Sequence, residues 1–340
     1  MERINDNGQG IALVVDAHGR LISTITDGDL RRAILAGMDL HQPVREWLGR
    51  SSKPRTPVTA SAGMPRRELL RLMRKVELRH IPLLDGTGRV VDLACLSDLI
   101  PTRQADELGL SAVVMAGGQG TRLRPLTEHT PKPMLPVGEK PVIERIVGQL
   151  RDAGIRRLHL ATHYKADVFS DHFGSGAAFG VAINYVAEEV PLGTAGVLST
   201  LRDGKESLLV VNGDILTRLN YRAFVEFHRE NGADMTVGLR RYDIDIPYGV
   251  VQTDGIVVQG LQEKPTQKLF VNAGIYLVEP AAAQYVPDGK RFDMTDLIAA
   301  LLSDGRRVVG FPIGEYWLDI GKPDDYERAQ LDARNGALKE

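Results

Sequence analysis

The stretch AGGQGTRLRPLTEHTPKPMLPVG, from Ala116 to Gly138, carries the strongest chemical signal in this chain. It follows the apolar run SAVVM, which is typical of a buried strand, and it begins with Gly117, Gly118 and Gly120. Glycines let backbone N–H groups approach a phosphate or a base without side chains in the way. The stretch is neither a Walker loop, since no Gly-Lys-Ser/Thr follows, nor a dinucleotide fingerprint, since Leu123 takes the third glycine position. It predicts a nucleotide-binding loop of another kind.

Charged residues follow this loop and also end two distant segments. Arg122 places a forked cation beside the glycines, and Lys132 adds a point charge between two prolines. Asp214 ends the apolar segment VVNGD, and Asp319 lies in YWLDIGKPDDY. A carboxylate that follows a strand lies at the carboxyl edge of an open α/β sheet, where ligands bind. Two such carboxylates can converge on one hard cation, so the sequence predicts a Mg²⁺ site.

Weaker motifs later in the chain are candidates for nucleoside and sugar contacts. PLGTAG offers backbone amides and one hydroxyl, EKP offers a cation and a carboxylate, and PYGVV and VNAGIY look like elements at strand ends that line a sugar pocket. The residues concerned are Gly193, Thr194, Gly249, Glu263, Lys264 and Asn272.

The order of elements after residue 110 predicts an α/β fold. Short apolar strands such as RLHLAT and SLLVVNGD alternate with helical patterns such as KPVIERIVGQLRDAG and YRAFVEFHREN. This alternation is typical of a mostly parallel, Rossmann-like sheet with helices on both faces. We therefore expect residues 111–340 to form one α/β domain and residues 105–110, in the polar segment PTRQADELGL, to be a linker.

Residues 1–104 read as two copies of a short α/β unit. In the first, two strand-like runs surround an Ala-His-Gly turn, and DLRRAILAG follows as a helix. In the second, RHIPLLD and RVVDLACL surround a Gly-Thr-Gly turn, and SDLI begins a helix. Apolar residues spaced as i, i+3, i+4, i+7 from Leu69 predict a further helix before the second copy. The first copy has no room for the equivalent helix.

Composition excludes several functional classes. The 340 residues carry a formal net charge of −2, so no overall field favours nucleic acid or an acidic membrane. No apolar run approaches the roughly 20 residues that cross a bilayer, and no signal peptide begins the chain. The single cysteine, Cys95, excludes an internal disulfide framework, and the eight histidines show no metal-ligand spacing. We expect a cytoplasmic protein.

The motifs quoted above, in their order, resemble the sugar nucleotidylyltransferase family from about Ser111 to Ala329. AGGQGTRLRPLTEHTPKPMLPVG, NGDIL, IPYGVV, EKP, NAGIY, FDMTDLI and YWLDIG together resemble a bacterial subgroup with paired CBS domains at the N-terminus. That subgroup is associated with glucosamine-1-phosphate guanylyltransferases, and related chains with mannose-1-phosphate guanylyltransferases. The resemblance implies transfer of a nucleoside monophosphate from a nucleoside triphosphate, preferably GTP, to a sugar 1-phosphate.

The resemblance also implies roles for individual residues. Ala116 and the loop from Gly117 to Thr121 would hold the nucleotide together with Gly193 and Thr194. Arg122 would hold its phosphates, and Lys132 would stabilise charge at the α-phosphate. Asp214 and Asp319 would bind Mg²⁺. Residues Gly249, Glu263, Lys264 and Asn272 would form the sugar-phosphate site, with Lys264 on the phosphate.

The N-terminal copies resemble CBS domains by their pattern. Thr26 and Asp29 match the Thr-x-x-Asp element that holds the ribose of an adenine nucleotide in that family. The second copy keeps Asp98 but has Cys95 where a serine or threonine is expected. Two interpretations remain open: a module that binds an adenine nucleotide, and a module that only associates. Either interpretation favours a homo-oligomer.

Alternatives to the main functional prediction also remain open. CTP or UTP can replace GTP, and mannose 1-phosphate can replace glucosamine 1-phosphate, because a few pocket contacts decide both choices. A catalytically silent, nucleotide-sensing protein is a different class of answer. The presence of Arg122, Lys132, Asp214 and Asp319 together favours the enzyme. A fusion with a hexapeptide-repeat acetyltransferase has no room after Asp319.

Overall fold

The computed structural model describes residue 4 and residues 10–38, 42–50, 56–76, 78–99, 107–188 and 190–338. It consists of two compact units, residues 1–107 and residues 108–340. The predicted linker, residues 105–110, lies partly outside the described residues. Two of its members, Leu108 and Leu110, are buried in the core of the second unit.

The first unit repeats the order strand, strand, helix. Its elements are β1 (Ile11–Val15), β2 (Leu21–Thr26), α1 (Asp27–Leu35), α2 (Val44–Arg50), β3 (Ala60–Ser61), α3 (Arg66–Val76), β4 (His80–Leu84), β5 (Val90–Cys95) and α4 (Leu96–Leu99). Strands β1 and β2 form one antiparallel hairpin, and β4 and β5 form another, with β3 parallel to β4. The predicted strands and helices of both copies are present. Most residues before Gly10, where a leading helix of the first copy would lie, are outside the described residues.

The two hairpins of this unit join through their turns. Arg20 and Arg89 form an isolated antiparallel bridge, and the Leu21 amide donates to the Gly88 carbonyl at 3.3 Å. The core lies under the second copy, where Leu69 and Met73 of the amphipathic α3 pack against buried residues of β4 and β5. The helical spacing read from the sequence thus places the apolar face of α3 on the sheet.

The second unit is built on one seven-stranded sheet. Its strands are β6 (Ser111–Met115), β7 (Pro136–Val137), β8 (Lys140–Pro141), β9 (Arg157–Thr162), β10 (Ala182–Ala187), β11 (Leu208–Asn212), β12 (Ile215–Thr217), β13 (Met235–Asp245), β14 (Val250–Asp254), β15 (Val257–Gln262), β16 (Thr266–Val278), β17 (Val308–Ile313) and β18 (Trp317–Asp319). The order in the sheet is β10-β9-β6-β11-β16-β13-β17. Neighbouring strands are parallel except around β16, which is antiparallel to both β11 and β13. The prediction of a mostly parallel α/β sheet is confirmed.

Helices cover both faces of this sheet. They are α5 (Val142–Asp152), α6 (Ala166–Phe173), α7 (Gly193–Gly196), α8 (Tyr221–Glu230), α9 (Pro280–Ala283), α10 (Met294–Ser303) and α11 (Pro323–Arg334). Alternate residues of β6 point to opposite faces: Ala112 and Val114 join the cluster under α5, α6 and α8, whereas Val113 joins the cluster under α7, α9 and α10. Both faces of the strand are buried, which explains why it reads as a continuous apolar run.

Two features of the second unit were not predicted. Strands β13 and β16 are 11 and 13 residues long, and their paired ends extend as an exposed ribbon beyond the sheet. Strands β14 and β15 form a separate exposed hairpin between them. Among the described residues, no helix is long and apolar enough to cross a membrane.

Candidate nucleotide and cation site

The carboxyl ends of four parallel strands meet at one edge of the sheet. Strand β6 runs into the glycine loop, β11 into Gly213 and Asp214, β9 into His163, and β10 into Glu188. Register keeps these ends level, since Met115 pairs with Asn212 on one side and with Ala161 on the other. Polar groups from distant parts of the sequence are therefore neighbours.

The glycine loop has a backbone conformation that glycine favours. Gly120 has a φ of 62°, and a Cβ atom there would lie 2.9 Å from Thr127 Cγ2 and 3.0 Å from Lys132 Cβ. The buried Thr127 hydroxyl donates to the Gly120 carbonyl at 2.8 Å. The loop is thus closed onto its own downstream segment, and this contact also brings Lys132 close to the glycines.

Lys132 lies between the two carboxylates that the sequence singled out. Strands β12 and β18 pair antiparallel, with Ile215 opposite Asp319, so the residue before β12 and the last residue of β18 are adjacent. The Lys132 ammonium is 2.5 Å from Asp214 Oδ2 and 3.8 Å from Asp319 Oδ1. Three residues separated by up to 187 positions (319 − 132) therefore form one cluster.

The electrostatics of this cluster favour a bound cation. Burial and the neighbouring Asp214 carboxylate raise the pKa of Asp319, although Lys132 and Arg122 oppose the shift. Arg122 also lies beside Gly321, since a Cβ atom there would be 3.9 Å from Arg122 Nη1 and 3.8 Å from Asp319 Oδ1. The four charged residues that the sequence selected thus share one site.

The pair of carboxylates fits a hard divalent ion. Carboxylate oxygens are the donors that Mg²⁺ prefers, and Mg²⁺ commonly takes one or two of them together with phosphate oxygens. Among the described residues, no group of three or more His, Cys, Asp or Glu side chains is arranged to hold a metal. Asp214 and Asp319 could therefore supply a partial ligand set, which phosphate oxygens would complete.

The PLGTAG segment differs from the loop that the sequence suggested. Residues Gly193–Gly196 form one helical turn, and Gly193 has a φ of 82° where it packs against Asp293. The Thr194 amide donates to Asp293 Oδ1 at 2.9 Å, and its hydroxyl accepts from the Met294 amide at 2.8 Å. Both polar groups of Thr194 are thus bonded within the protein, and they anchor this turn to the start of α10.

The candidate sugar residues lie on the exposed ribbon and hairpin. Gly249 and Glu263 face each other, since a Cβ atom on Gly249 would lie 3.0 Å from Glu263 Oε2. Lys264 has a φ of 42°, a left-handed conformation that turns the chain into β16. Asn272 Oδ1, in β16, accepts from the Gly274 amide at 3.0 Å. The structure brings Gly249 and Glu263 together, and the contacts of these two residues are within the hairpin. The contacts of Lys132 are instead with Asp214 and Asp319.

Two polar residues at the carboxyl edge were missed by the sequence reading. Asn212 ends β11, and its Oδ1 is buried without a hydrogen-bond partner in the described part of the chain. Glu188 follows β10 directly, and its Oε1 is in the same situation. The rule that found Asp214, a polar residue close behind the end of a strand, applies to Glu188 as well, but the alternating run AINYVA was not recognised as a strand.

In the first unit, Thr26 and Asp29 form the N-terminal cap of α1. The Thr26 amide and hydroxyl donate to Asp29 Oδ2 at 3.0 and 2.7 Å, and the Asp29 amide donates to the Thr26 hydroxyl at 3.2 Å. Arg32 pairs with the same carboxylate. These contacts give both residues a structural role, because a capping box satisfies the free amides at a helix start.

Models of known protein families match residues in both units. The model of the nucleotidyl transferase family matches residues 111–336, and the model of the CBS domain matches residues 53–102. The first match covers the sheet and every residue of the carboxylate and glycine-loop cluster. The second covers the second of the two N-terminal copies.

Curated relatives of the second unit are sugar-phosphate nucleotidyltransferases. The chain is 37% identical to a mannose-1-phosphate guanylyltransferase of Mycobacterium tuberculosis, over 67% of this chain and 65% of that protein. It is 33% identical to a UTP–glucose-1-phosphate uridylyltransferase of Synechocystis, over 65% and 62%. The match spans less than two thirds of the length of either relative. A D-glycero-α-D-manno-heptose 1-phosphate guanylyltransferase of Aneurinibacillus thermoaerophilus is 31% identical over 66% of this chain and 99% of its own length.

A solved structure shows the same fold. The HddC protein of Yersinia pseudotuberculosis, crystallised with GMP-PN, has a TM-score of 0.52 and is 26% identical, covering 66% of this chain and 99% of its own. The structural similarity therefore extends over nearly the whole of that protein and over about two thirds of this chain.

Proposed function

This chain belongs to the nucleotidyl transferase family, and from that premise we propose that it transfers a nucleoside monophosphate from a nucleoside triphosphate to a sugar 1-phosphate, with release of pyrophosphate. The observation that carries the proposal is the cluster in which Lys132 lies between Asp214 and Asp319, beside the glycine loop. Cations and paired carboxylates next to a phosphate-binding loop suit chemistry at a phosphorus atom.

The residues of the cluster account for the main requirements of such a transfer. The glycine loop presents amides to the triphosphate, and Arg122 and Lys132 supply positive charge where the α-phosphorus accumulates negative charge. Asp214 and Asp319 would hold Mg²⁺, which when bound neutralises phosphate oxygens and fixes their geometry. The attacking sugar phosphate is already ionised at neutral pH, so the site needs no general base. Catalysis is then a matter of orientation and charge stabilisation.

The Lys132 position suggests how the site changes when nucleotide binds. Its ammonium offsets part of the charge of the two carboxylates at 2.5 and 3.8 Å. A divalent cation on Asp214 and Asp319 would replace that balance and leave the ammonium available to a phosphate oxygen. Lys132 is thus placed to exchange a carboxylate partner for the α-phosphate.

We propose GTP as the nucleotide, and glucosamine 1-phosphate or a related hexose phosphate as the acceptor. Two of the three relatives described above are guanylyltransferases, and the Yersinia protein was crystallised with a guanine nucleotide analogue. Mannose 1-phosphate is the competing acceptor, and UTP, the substrate named for the Synechocystis relative, is the competing nucleotide. Lys264, with Gly249, Glu263 and Asn272, would hold the acceptor.

A pyrophosphate-release assay tests the proposal directly. The full-length protein is incubated with Mg²⁺ and with each of four nucleoside triphosphates, crossed with a panel of sugar 1-phosphates. We expect release that requires both substrates and that is highest with GTP. Release with another base would change the proposed nucleotide only. Nucleotide binding without release from any combination would instead support the catalytically silent, nucleotide-sensing protein.

For the first unit, we propose that an adenine nucleotide binds near Thr26 and Asp29 and adjusts the activity of the second unit. The match to the CBS domain supports this role, as does the pair of similar hairpins joined at Arg20 and Arg89. The Thr26 hydroxyl and the Asp29 carboxylate are the groups that would meet a ribose. The competing interpretation is association without a ligand.

A further inference from the structure

The second unit contains a cavity of about 360 Å³, the α5–β12 cavity. Residues of α5 form one part of its lining, and β12 with the segment that follows it, as far as Arg222 at the start of α8, forms another. Leu338, after α11, also lines it. The four charged residues of the cation site are not among its lining residues. Its size is that of a site for a small metabolite.

The lining of this cavity is rich in positive charge. Arg145 on α5, Arg218 and Arg222 bring three guanidinium groups to it, whereas Asp152 brings the one carboxylate among the described lining residues. Asp152 Oδ1 accepts a hydrogen bond from Arg151 Nε at 2.8 Å, so part of its charge is already offset. Guanidinium groups match the geometry of phosphate oxygens. The balance of charge therefore favours a ligand with a phosphate group.

Two polar groups of the lining residues have no hydrogen-bond partner in the described part of the chain. They are Nε of Arg145 and the hydroxyl of Tyr221, and both are shielded from solvent. Another nitrogen of Arg145, Nη2, donates to the Val137 carbonyl at 2.8 Å, which holds the guanidinium in place. Tyr221 is only 2% exposed, and burial raises the pKa of its hydroxyl, which therefore stays protonated at neutral pH. Both groups can donate, and a buried donor without an acceptor is costly, so acceptor oxygens are what the lining lacks.

The remaining lining residues indicate what the phosphate is attached to. The aliphatic side chains of Ile146, Leu216 and Leu219 line the cavity together with the donors. Aliphatic walls with a few polar groups suit the carbon-bound hydrogens and the hydroxyls of a sugar ring, and the Asp152 carboxylate can accept from such hydroxyls. A single phosphate ion would leave this part of the cavity unfilled. The lining therefore matches a phosphorylated sugar better than inorganic phosphate.

Strand β12 connects this cavity with the cation site. It lines the cavity with Ile215–Thr217 and begins directly after Asp214. Gln149 Nε2, on α5, donates to the Thr217 carbonyl at 2.7 Å, and β12 pairs with β18, which ends at Asp319. A ligand that shifts β12 relative to α5 would therefore alter the spacing of the two carboxylates.

We propose that the α5–β12 cavity is a regulatory site for a phosphorylated hexose. The phosphate meets the guanidinium groups of Arg145 and Arg218 and the hydroxyl of Tyr221, and the sugar ring lies against the aliphatic wall. Small side-chain adjustments, which are common on binding, turn the two shielded donors toward the ligand. The site is separate from the proposed acceptor site, whose residues lie on the exposed ribbon and hairpin. It also goes beyond the proposed function, because binding here does not require nucleotide transfer.

Calorimetry with glucose 6-phosphate tests the proposal. This probe carries its phosphate on carbon 6, so it cannot serve as the acceptor in transfer to a sugar 1-phosphate. We expect saturable binding to the full-length protein that persists in Lys264→Ala, the variant of the proposed acceptor site. Inorganic phosphate should bind roughly tenfold more weakly, because it makes no contact with the aliphatic wall. Saturating glucose 6-phosphate should change the affinity for GTP roughly fivefold or more, since binding at coupled sites is reciprocal.

Two variants change the cavity without touching the proposed catalytic groups. Arg218→Gln removes an exposed cation and should weaken glucose 6-phosphate binding roughly tenfold or more. Tyr221→Phe removes only an unpaired hydroxyl, so Tm should not fall, whereas the affinity for the probe should fall roughly three- to tenfold. Lys205→Gln removes an exposed cation outside the cavity and is the matched control, which should behave as the unchanged protein.

Several outcomes would each overturn the proposal. Absence of saturable heat with glucose 6-phosphate is the first. Binding that Lys264→Ala abolishes would place the probe in the acceptor site, and binding that is unchanged in both Arg218→Gln and Tyr221→Phe would exclude this cavity. Equal affinity for inorganic phosphate would contradict a sugar ligand. An unchanged affinity for GTP with the probe bound would contradict a regulatory role.

Discussion

At the scale of single residues, the site depends on a few charges held at short range. Lys132 pairs with both Asp214 and Asp319, and Asp319 has its pKa raised by burial and by Asp214. Two carboxylates kept this close without a compensating cation would repel each other. The arrangement therefore requires a nearby positive charge, which Lys132 supplies and which a divalent ion could supply in its place.

Removal of either carboxylate should abolish catalysis while preserving the fold. We expect Asp214→Ala and Asp319→Ala to lower kcat/KM by about 100-fold or more, because each removes a ligand for the cation at the reacting phosphate. Steady-state pyrophosphate release measures the loss, and circular dichroism checks the fold. Near-normal turnover in both variants would show that these residues do not form the cation site.

Lys264 should affect the acceptor more than the nucleotide. It lies on the exposed hairpin side of the unit, away in sequence from the glycine loop, and its proposed partner is the sugar phosphate. Lys264→Ala is expected to raise the KM for the sugar 1-phosphate by roughly tenfold or more and to change the KM for the triphosphate little. Initial-rate kinetics with each substrate varied in turn decides this. The reverse pattern would exchange the two subsites.

At the scale of secondary-structure elements, tight turns and buried polar bonds hold the carboxyl edge in place. The glycine loop, the PLGTAG turn and the β12–β18 pair are each fixed by contacts to distant segments. Because these contacts lie outside the strands and helices themselves, damage to a loop should alter the site before it unfolds the sheet.

Gly120→Ala tests the loop. At a φ of 62° a side chain is strained, and its Cβ would meet Thr127 Cγ2 at 2.9 Å. We expect a stability loss of about 1–2 kcal/mol together with a marked loss of nucleotide affinity. Gly148→Ala is the matched control: it lies in α5 with open space around it, so stability should rise by about 0.5–1 kcal/mol. Denaturant unfolding of both variants compares them, and equal stability would exclude strain at Gly120.

A buried polar network links the strands and helices at the opposite edge of the sheet. His228 on α8 contacts Thr236 Oγ1 through Nδ1 at 2.8 Å and Glu279 Oε1 through Nε2 at 2.9 Å. The Ser207 hydroxyl donates to the same Glu279 oxygen at 2.6 Å. The hydrogen bond from His228 is the largest cause of a lowered pKa at Glu279, and burial opposes it.

This network predicts a defined dependence of stability on pH. A carboxyl group whose pKa is lower in the folded than in the unfolded state stabilises the fold at pH values above its unfolded-state pKa, which is ordinarily 4.5. This stability is lost as the pH falls through the folded-state pKa. Glu279→Gln should therefore lower Tm at neutral pH, and the difference from the unchanged protein should shrink below about pH 4.5. Thermal unfolding from pH 7 to pH 3 tests this, and a difference that does not vary with pH would contradict it.

At the scale of the whole molecule, the chain combines a unit of the nucleotidyl transferase family with a CBS-type unit. The first unit is small, and its main described core cluster lies under one of its two copies. Small domains of this kind bury little apolar surface and often gain stability from association. A second copy of the chain is the partner we propose for it.

Association and nucleotide sensing can be tested separately. Light scattering should show a dimer or larger assembly for the full chain and a smaller one for residues 108–340. Calorimetry with AMP, ADP, ATP and cyclic AMP should show binding that Asp29→Asn weakens, because the carboxylate is the proposed contact to the ribose. A monomeric full chain would contradict association. Absence of heat with every adenine nucleotide would leave the unit as a structural module.

The sequence by itself determined the class of fold and singled out the four charged residues that the structure brings together. Apolar runs such as SAVVM and periodic helices such as α5 depend on burial and on helix geometry, which are local properties of the chain. The glycine loop, Arg122 and Lys132 belong to one long motif, Ala116–Gly138, whose pattern predicted a phosphate-binding site, and Asp214 and Asp319 lie in two separate segments that the sequence also singled out. The exposed ribbon of β13 and β16 and the pairing of β14 with β15 were not foreseen, because β16 is antiparallel and its outer half is exposed. The helical turn at Gly193–Gly196 was also not foreseen.

Only the tertiary structure decided which polar groups meet. The pairing of β12 with β18 places Asp319 beside Asp214, and the order of the parallel strands places Glu188 over Gly117. The separation of two residues in the sequence does not determine their distance in space. That distance depends on the strand register, which the packing of the whole sheet sets. For the same reason, the buried Glu188 oxygen without a hydrogen-bond partner in the described part of the chain becomes visible only when the sheet is assembled.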